Sequence, residues 1–196
     1  QQRRKTMTTC IIAEKPSVAR DIARIVGSTH PQDGFIEGKG YLVTWAFGHL
    51  ITLARPEHYG LGTYKADKLP ILPQPFQLIV RQIRKGKAFE DDPTALKQLK
   101  VIRSCFERAE EIIVATDAGR EGELIFRYIY SYLACRKPFQ RLWISSLTDK
   151  AIREGLAKLK PGERYDALYL AGKARSEADW LVGINASRAL SIARRG

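Results

Sequence analysis

Two short apolar runs constrain the fold of this chain more than any other feature of its sequence. Residues 8–13 (TTCIIA) and 111–116 (EIIVAT) are rich in β-branched residues and lack polar alternation, which is typical of strands buried in a parallel sheet. Each run is followed by acidic residues and then by apolar residues at helical spacing. Strands that alternate with helices predict an α/β fold in which helices flank a mostly parallel sheet.

The other segments predict the remaining elements. Residues 35–47 contain two β-rich runs broken by glycine, which is typical of a hairpin, and residues 141–145 are a third strand candidate. Residues 48–75 are expected to form a long, irregular segment. Apolar spacing predicts helices over residues 16–26, 95–108, 122–133, 148–159 and 164–190. The third of these would bury Leu124, Ile125, Tyr128, Ile129 and Tyr132.

The charge balance favours a polyanionic partner. The chain has 33 lysine and arginine residues against 21 aspartate and glutamate residues, a net charge of +12. Such an excess is typical of nucleic-acid binding, although generic basicity is the alternative. The three cysteines are too few and too widely spaced for a metal quartet or a disulfide framework, which favours a reducing cytoplasm. No run of 18 apolar residues is present, so no membrane span is expected.

Acidic residues follow both apolar runs, with Glu14 after the first and Asp117 and Glu121 after the second. Because the carboxyl ends of parallel strands meet at one edge of a sheet, these side chains are expected to converge. Two carboxylates about 4 Å apart repel by roughly 4 kcal/mol at an effective dielectric constant near 20. The cluster therefore needs a cation such as Mg²⁺, or a proton on one member. The alternative is that Asp117 only caps the following helix.

Several segments resemble one known family. IIAEKPSVA and IVATDAGREGELIFRYI resemble the Toprim domain of type IA topoisomerases, particularly of the topoisomerase III branch. WAFGHLITLARPEHYG, RLWISSLTDKAIREGL and ARSEADWLVGINASRAL resemble later segments of the same enzymes. The similarity extends from about Thr8 to Leu190 in the order of the family. It implies a Toprim, Rossmann-like α/β domain followed by the first helices of a second, helical domain.

The resemblance assigns roles to the residues of the acidic site. Glu14 would exchange a proton with the 3′-oxygen at the cleaved bond and would assist metal binding. Asp117 and Glu121 would hold Mg²⁺ together with Glu14. Arg120 would hold the scissile phosphate; the alternative is an exposed arginine at the start of a helix. His49 would lie close to the reacting groups; the alternative is a structural histidine.

One position departs from the family pattern. The family's acidic triplet is Asp-x-Asp-x-Glu, and its middle acid is replaced here by Gly119. One fewer carboxylate predicts weaker metal binding, or more water molecules on the bound ion.

The resemblance also implies contacts to single-stranded DNA. Tyr64 would be an aromatic contact in the loop before Leu69, although it could simply anchor that loop. Arg175 and Asp179 are four residues apart and can pair across one helical turn. These two residues are expected to line a single-strand groove, together with Trp180 and Arg188. The alternatives are a surface salt bridge and a core tryptophan.

The expected domain organisation follows the family. Residues 1–7 would form a disordered leader, residues 8–147 the Toprim domain, and residues 148–196 an incomplete start of the helical groove domain. Type IA topoisomerases cut and rejoin one DNA strand through a 5′-phosphotyrosine bond, without ATP. Their tyrosine belongs to a later domain, and no tyrosine here matches it. The chain is therefore expected to be an N-terminal fragment that is inactive alone.

Expected partners are Mg²⁺, DNA, especially single-stranded DNA, and the remaining domains of the same polypeptide. No membrane contact and no oligomer are expected, and the location would be cytoplasmic. Two other functions are possible for a Toprim domain: a primase or a nuclease of the overcoming-lysogenization type, or a non-catalytic DNA-binding module of the recombination-mediator type. The ARSEADWLVGINASRAL segment separates these readings, because topoisomerases have it after the Toprim domain and primases do not.

Overall fold

A computed structural model describes residues 7–63, 65–86 and 88–194 of the protein. These residues form eleven strands and five α-helices. The strands are β1 (Thr9–Ala13), β2 (His30–Gln32), β3 (Phe35–Gly38), β4 (Tyr41–Trp45), β5 (Ile51–Leu53), β6 (Leu78–Val80), β7 (Gln82–Lys85), β8 (Ala88–Asp91), β9 (Glu111–Ala115), β10 (Phe139–Arg141) and β11 (Lys160–Pro161). The α-helices are α1 (Pro16–Val26), α2 (Pro93–Arg108), α3 (Arg120–Tyr132), α4 (Asp149–Leu156) and α5 (Asp166–Ala193).

Seven strands form one sheet in the order β11-β10-β9-β1-β4-β3-β2. The four inner strands β10, β9, β1 and β4 are parallel, whereas the outer strands on both sides are antiparallel. The predicted α/β fold with a mostly parallel sheet is therefore confirmed, and so is the hairpin, which is formed by β3 and β4. Two smaller antiparallel pairs, β5 with β6 and β7 with β8, lie outside this sheet.

Helices cover both faces of the sheet because the inner strands are apolar on both sides. All five residues of β1 are buried. Cys10 and Ile12 belong to a core cluster that includes buried residues of α2 and α3. Ile11 and Ala13 point to the opposite face and join a cluster with buried residues of α1 and α4. The unbroken apolar run seen in the sequence is thus a strand at the centre of a three-layer domain.

Three sequence-based expectations were wrong. The third strand covers Phe139–Arg141 rather than residues 141–145: its pairing with β9 runs only as far as Arg141 opposite Val114, and the residues that follow are not in a strand. Helix α4 ends at Leu156 rather than at residue 159, because Lys160 and Pro161 join the sheet edge beside β10. Tyr132 is the last residue of α3, and 39% of its surface is exposed instead of buried.

The other elements lie close to their expected places. The segment over residues 48–75 is largely irregular, but it contains β5 and two 3-10 turns, Pro56–Tyr59 and Ala66–Lys68. Residues 1–6 of the expected leader lie outside the described residues, and Met7 is exposed. Within the part of the chain that the structure describes, no helix combines the length and apolar character needed to cross a bilayer.

A partly buried ion pair joins the loop after β6 to the start of α2. Asp92 caps α2 by accepting hydrogen bonds from the main-chain N–H groups of Thr94 (2.9 Å) and Ala95 (3.4 Å). Its other oxygen accepts hydrogen bonds from Nε (3.0 Å) and Nη2 (2.5 Å) of Arg81. The hydrogen bond from Arg81 lowers the pKa of Asp92, and the loss of solvent around the carboxylate opposes that shift.

Replacing Asp92 by alanine should lower the free energy of unfolding at neutral pH by about 2 kcal/mol, the upper end of the range for a lost N-cap. A carboxyl group with a lowered pKa stabilises the folded state above its unfolded-state pKa of about 4. That contribution is lost as the pH falls through the folded-state pKa. Denaturant titrations should therefore show the difference between wild type and Asp92→Ala narrowing in acid. The exposed neighbour Asp91 provides the control, and an equal loss in Asp91→Ala would contradict the assignment.

Candidate active site

The parallel pairing of β1 with β9 places two acidic turns side by side. The strands pair from Thr9 opposite Glu111 to Ala13 opposite Ala115. The turns that follow therefore leave the same edge of the sheet next to each other. The main-chain N–H of Asp117 donates a hydrogen bond to Oε2 of Glu14 at 3.2 Å. Glu14 is half-buried, whereas Asp117 is exposed.

A second pair lies at the start of α3. Nε2 of His49 hydrogen-bonds to Oε1 of Glu121, whose side chain is 72% exposed. The carbonyl of His49 accepts a hydrogen bond from Nη1 of Arg81 at 3.2 Å, so the ion pair of Arg81 with Asp92 also holds this segment. The structure thus brings Glu14 to Asp117 and His49 to Glu121.

Glycine is required at one position of the Asp117 turn and tolerates replacement at another. A Cβ atom on Gly122 would lie 2.0 Å from the carbonyl oxygen of Asp117, so the tight turn needs glycine there. A Cβ atom on Gly119 would meet no other atom within 4 Å. Gly119 has extended backbone (φ 166°) at the N-cap of α3. The absent middle acid of the triplet is therefore not excluded by local packing.

Arg120 is the first residue of α3, and it is exposed beside the acidic turn. The first turn of a helix presents unpaired N–H groups and the positive end of the helix dipole, which favour a bound phosphate. An arginine at this position adds a full charge and a planar set of donors. Arg120 is thus placed where it could contact an anion held near Asp117.

A buried arginine and glutamate lie beneath the Asp117 turn, and the sequence reasoning missed both. The guanidinium of Arg141 donates hydrogen bonds to the carbonyls of Val114 (3.1 Å), Thr116 (2.7 Å) and Asp117 (2.8 Å). Its Nε lies 3.1 Å from Oε2 of Glu123, an ion pair whose angle falls outside hydrogen-bond geometry. The side chains of both residues are no more than 1% exposed. The sequence signal for each was a charged residue in an otherwise apolar segment: Arg141 in RLWIS and Glu123 in GELIF.

Glu123 also pairs with a second arginine. Nε of Arg127 donates a hydrogen bond to Oε1 of Glu123 at 2.9 Å, and its Nη2 donates one to Oδ1 of Asp166 at 2.7 Å. Two arginines are thus matched by two carboxylates. Loss of solvent lowers the pKa of Arg141, and Glu123 opposes that shift. An arginine nevertheless stays protonated near neutral pH, so the buried group is a cation.

The donor chemistry of the acidic turns fits Mg²⁺, although the described residues contain no group of three or more His, Cys, Asp or Glu side chains arranged to hold a metal. Mg²⁺ in phosphate-handling sites is usually bound by one or two carboxylates, with water and substrate phosphate completing its six ligands. Glu14 and Asp117 lie on neighbouring turns, joined by the hydrogen bond from the main-chain N–H of Asp117 to Glu14, so each turn can offer one carboxylate to an ion. A cleft of about 490 Å³ opens beside Asp117 and is lined further by residues of α1 and of the segment after β10.

The four described residues of the expected DNA groove all lie on α5, in different environments. Nε of Arg175 donates a hydrogen bond to Oδ2 of Asp179 at 3.3 Å, as the spacing predicted, and both side chains are about two-thirds exposed (66% and 69%). Arg188 is only 4% exposed, and its Nη1 donates to the carbonyls of Leu61 and Thr63. Tyr64 lies outside the described residues.

Trp180 anchors α5 to the irregular segment. Its indole N–H donates a hydrogen bond to the carbonyl of Ala54 at 3.0 Å. Its ring contacts Phe76 and Tyr59 edge-on, with ring centroids 5.4 and 6.3 Å apart. Trp180 is half-buried, and these contacts account for the position of its ring.

The fold and the paired acidic turns define an α/β domain whose site lies at the carboxyl ends of two adjacent parallel strands. The chain belongs to the Toprim domain family, whose model matches residues 9–147. The fold is also similar to that of full-length topoisomerase I from Thermotoga maritima, with a TM-score of 0.55 and 23% sequence identity. That similarity covers 88% of this chain and 24% of the other.

Curated relatives are similar well beyond the Toprim match. DNA topoisomerase 3 of Shouchella clausii (strain KSM-K16) is 49% identical over 185 residues, which is 92% of this chain and 24% of the relative. DNA topoisomerase 3 of Bacillus subtilis (strain 168) is 49% identical over 185 residues, or 93% of this chain. DNA topoisomerase 3 of Bacillus thuringiensis (strain Al Hakam) is 51% identical over 183 residues. The chain spans about a quarter of the length of these relatives.

Replacing Trp180 by alanine should lower the free energy of unfolding by roughly 3 kcal/mol, the low end of the range for truncating a core aromatic side chain, because Trp180 is only half-buried. Trp180→Phe keeps most of the ring contacts and should lose about 1 kcal/mol with the hydrogen bond to Ala54. Denaturant titration measures both changes. The exposed aromatic Tyr132 is the control, and a loss in Trp180→Ala no larger than in Tyr132→Ala would refute the anchoring role.

Proposed function

We propose that this chain is the metal- and phosphate-binding part of a topoisomerase III-like enzyme that cuts and rejoins one DNA strand. The observation that carries the proposal is the extent of the similarity. The family model ends at residue 147, whereas relatives named DNA topoisomerase 3 align over about 185 residues at near 50% identity. That length includes part of the chain beyond the Toprim match. A primase or nuclease would share the acidic turns but not a C-terminal region of this kind.

The proposed roles follow the two pairs at the sheet edge. Glu14 exchanges a proton with the 3′-oxygen of the cleaved bond, as acid in cleavage and as base in rejoining. Its carboxylate is half-buried and oriented by the N–H of Asp117, so it is positioned before DNA binds. Arg120 contacts the scissile phosphate at the first turn of α3. His49 lies near the same edge through its hydrogen bond to Glu121.

Glu14, Asp117 and Glu121 would hold Mg²⁺. When bound, the ion would neutralise charge on the scissile phosphate. With Gly119 in the middle of the acidic triplet, the protein offers fewer carboxylates than the family pattern. The exposed side chain of Asp117 is free to rotate toward a cation, because only its main chain takes part in the hydrogen bond to Glu14.

The proposed boundary between the Toprim domain and the start of the groove domain lies after residue 147. In this scheme α5 belongs to the second domain, and Arg175 presents an exposed charge to the phosphates of a single strand. Trp180 and Arg188 would act mainly by holding the irregular segment, through the carbonyls of Ala54, Leu61 and Thr63. The net charge of +12 favours the approach of DNA. Such a role implies an intracellular location in contact with DNA.

The chain's buried tyrosines do not suit the nucleophilic role. Burial raises the pKa of Tyr128 to about 12, which disfavours the phenolate needed for attack on phosphorus. Loss of solvent also raises the pKa of Tyr130, Tyr165 and Tyr169. These shifts disfavour the four tyrosines as nucleophiles. The resemblance to type IA topoisomerases leads the proposal to place the attacking tyrosine in a later domain.

A chimera tests this function. The segment of the Bacillus subtilis DNA topoisomerase 3 that aligns with this chain is replaced by this chain, and relaxation of negatively supercoiled plasmid is measured with Mg²⁺. The chimera should relax DNA, and Glu14→Gln should slow relaxation by about 100-fold or more, the usual contribution of a positioned acid or base.

Glu107→Gln serves as the matched control, because Glu107 is an exposed glutamate near the end of α2, remote from the acidic turns in sequence. The control should relax DNA at the rate of the unmodified chimera. A folded chimera that keeps the same rate in Glu14→Gln would refute the assignment of Glu14. A folded chimera that binds DNA but never relaxes it would refute the topoisomerase reading.

A further inference from the structure

Neither the family match nor the relatives assign a role to Arg141, the buried arginine beneath the Asp117 turn. We propose that Arg141, oriented by Glu123, is a positioning residue that fixes the main chain of the Asp117 turn for metal binding. This inference rests on the proposed function for its metal, but its geometry stands on contacts within this chain.

The sheet leaves two main-chain carbonyls of the Asp117 turn without partners. Strand β9 ends at Ala115, so the carbonyls of Thr116 and Asp117 lie beyond the ladder of the sheet. Main-chain carbonyls near the interior need hydrogen-bond donors. Arg141 is the last residue of the neighbouring strand β10, and its guanidinium reaches both carbonyls, at 2.7 and 2.8 Å. A side chain therefore continues the sheet by one further step.

The main chain of the Asp117 turn has little room to move. The carbonyl of Asp117 is confined by Nη2 of Arg141 and by Gly122, where even a Cβ atom would lie 2.0 Å from it. The N–H of the same residue is bonded to Glu14. The main chain of Asp117 is thus held on both sides, while its carboxylate stays exposed. Such an arrangement fixes the point from which the side chain reaches a cation.

The surroundings of residue 141 account for an arginine at this position and for the buried Glu123 beside it. The guanidinium donates hydrogen bonds to three carbonyls and forms an ion pair with one carboxylate, and the planar fork of arginine has enough donors at fixed angles to reach all three carbonyls. A buried cation without a partner would be strongly unfavourable. Glu123 supplies the negative charge, and its second oxygen is held by Arg127, which fixes the carboxylate in turn.

If Arg141 were only structural, its replacement would lower stability and nothing else. The test therefore compares Arg141 with Arg127, the other arginine that pairs with Glu123. Arg141→Lys keeps the charge but cannot reach the carbonyls as a fork. Arg127→Lys loses a comparable set of hydrogen bonds to Glu123, Gly162 and Asp166, none of which lies in the Asp117 turn. Each variant is measured at the same interval below its own Tm, so that differences in overall stability do not affect the comparison.

Two readouts are measured on the whole chain. Amide hydrogen exchange in metal-free buffer reports the rigidity of residues 114–120. Calorimetric titration reports the affinity for Mg²⁺. In Arg141→Lys, exchange in that segment should rise by about tenfold or more, and Mg²⁺ affinity should fall by about 10- to 100-fold, the range typical of lost outer-shell support. Arg127 reaches the turn only through Glu123, so Arg127→Lys should change both readouts much less than Arg141→Lys does.

If Arg141→Lys does not fold, the double variant Arg141→Gln with Glu123→Gln replaces it, because removing both buried charges costs less than removing one. The same two changes are expected in the double variant. Equal exchange and equal Mg²⁺ affinity in the Arg141 and Arg127 variants would overturn the proposal. If the wild-type chain binds no Mg²⁺, the proposed function loses its metal, but the exchange comparison still decides whether Arg141 holds the turn.

Discussion

The in-register parallel pairing of β1 with β9 is the constraint on which the rest of the structure depends. It sets Ala13 opposite Ala115, and the two acidic turns begin one or two residues later. A shift of one residue would turn the buried side chains of a strand to the opposite face of the sheet. It would also separate Glu14 from the N–H of Asp117. Both faces of these strands are packed against helices, and the observed register places the two acidic turns side by side.

The site combines a rigid main chain with exposed carboxylates. Asp117 is tied through its N–H to Glu14 and through its carbonyl to Arg141. Glu121 projects from the first turn of α3, with 72% of its side chain exposed. Acidic groups that remain open to solvent in a chain of net charge +12 are suited to binding a cation between protein and phosphate. The buried charges of Arg141 and Glu123 lie below the turn and support it, and the partly exposed Arg127 pairs with Glu123 from its other side.

The sequence was sufficient for the α/β class, the two central strands, the hairpin and the pairing of Arg175 with Asp179, because periodicity and short spacings determine these features. The sequence was insufficient for features that depend on contacts between residues far apart in the chain. Arg141 was placed at the start of a strand, yet it ends one, because β10 pairs with β9 through residues 139–141. Arg188 lies buried against the carbonyls of residues 61 and 63, which are more than 120 residues away in sequence. No local pattern reports such contacts, whereas the acidic turns were found because each directly follows a recognisable strand.

The central claim is that the turns after β1 and β9 form one cation site, and metal-directed cleavage of the polypeptide tests it most directly. Fe²⁺ occupies oxygen-ligand Mg²⁺ sites and, with ascorbate and hydrogen peroxide, generates hydroxyl radicals that cut the nearby backbone. The account predicts two groups of cuts, one near Glu14 and one within residues 117–121. Both should be suppressed by excess Mg²⁺ and lost in Asp117→Asn. Cuts confined to one of the turns, or cuts elsewhere that Mg²⁺ suppresses equally well, would contradict a shared site.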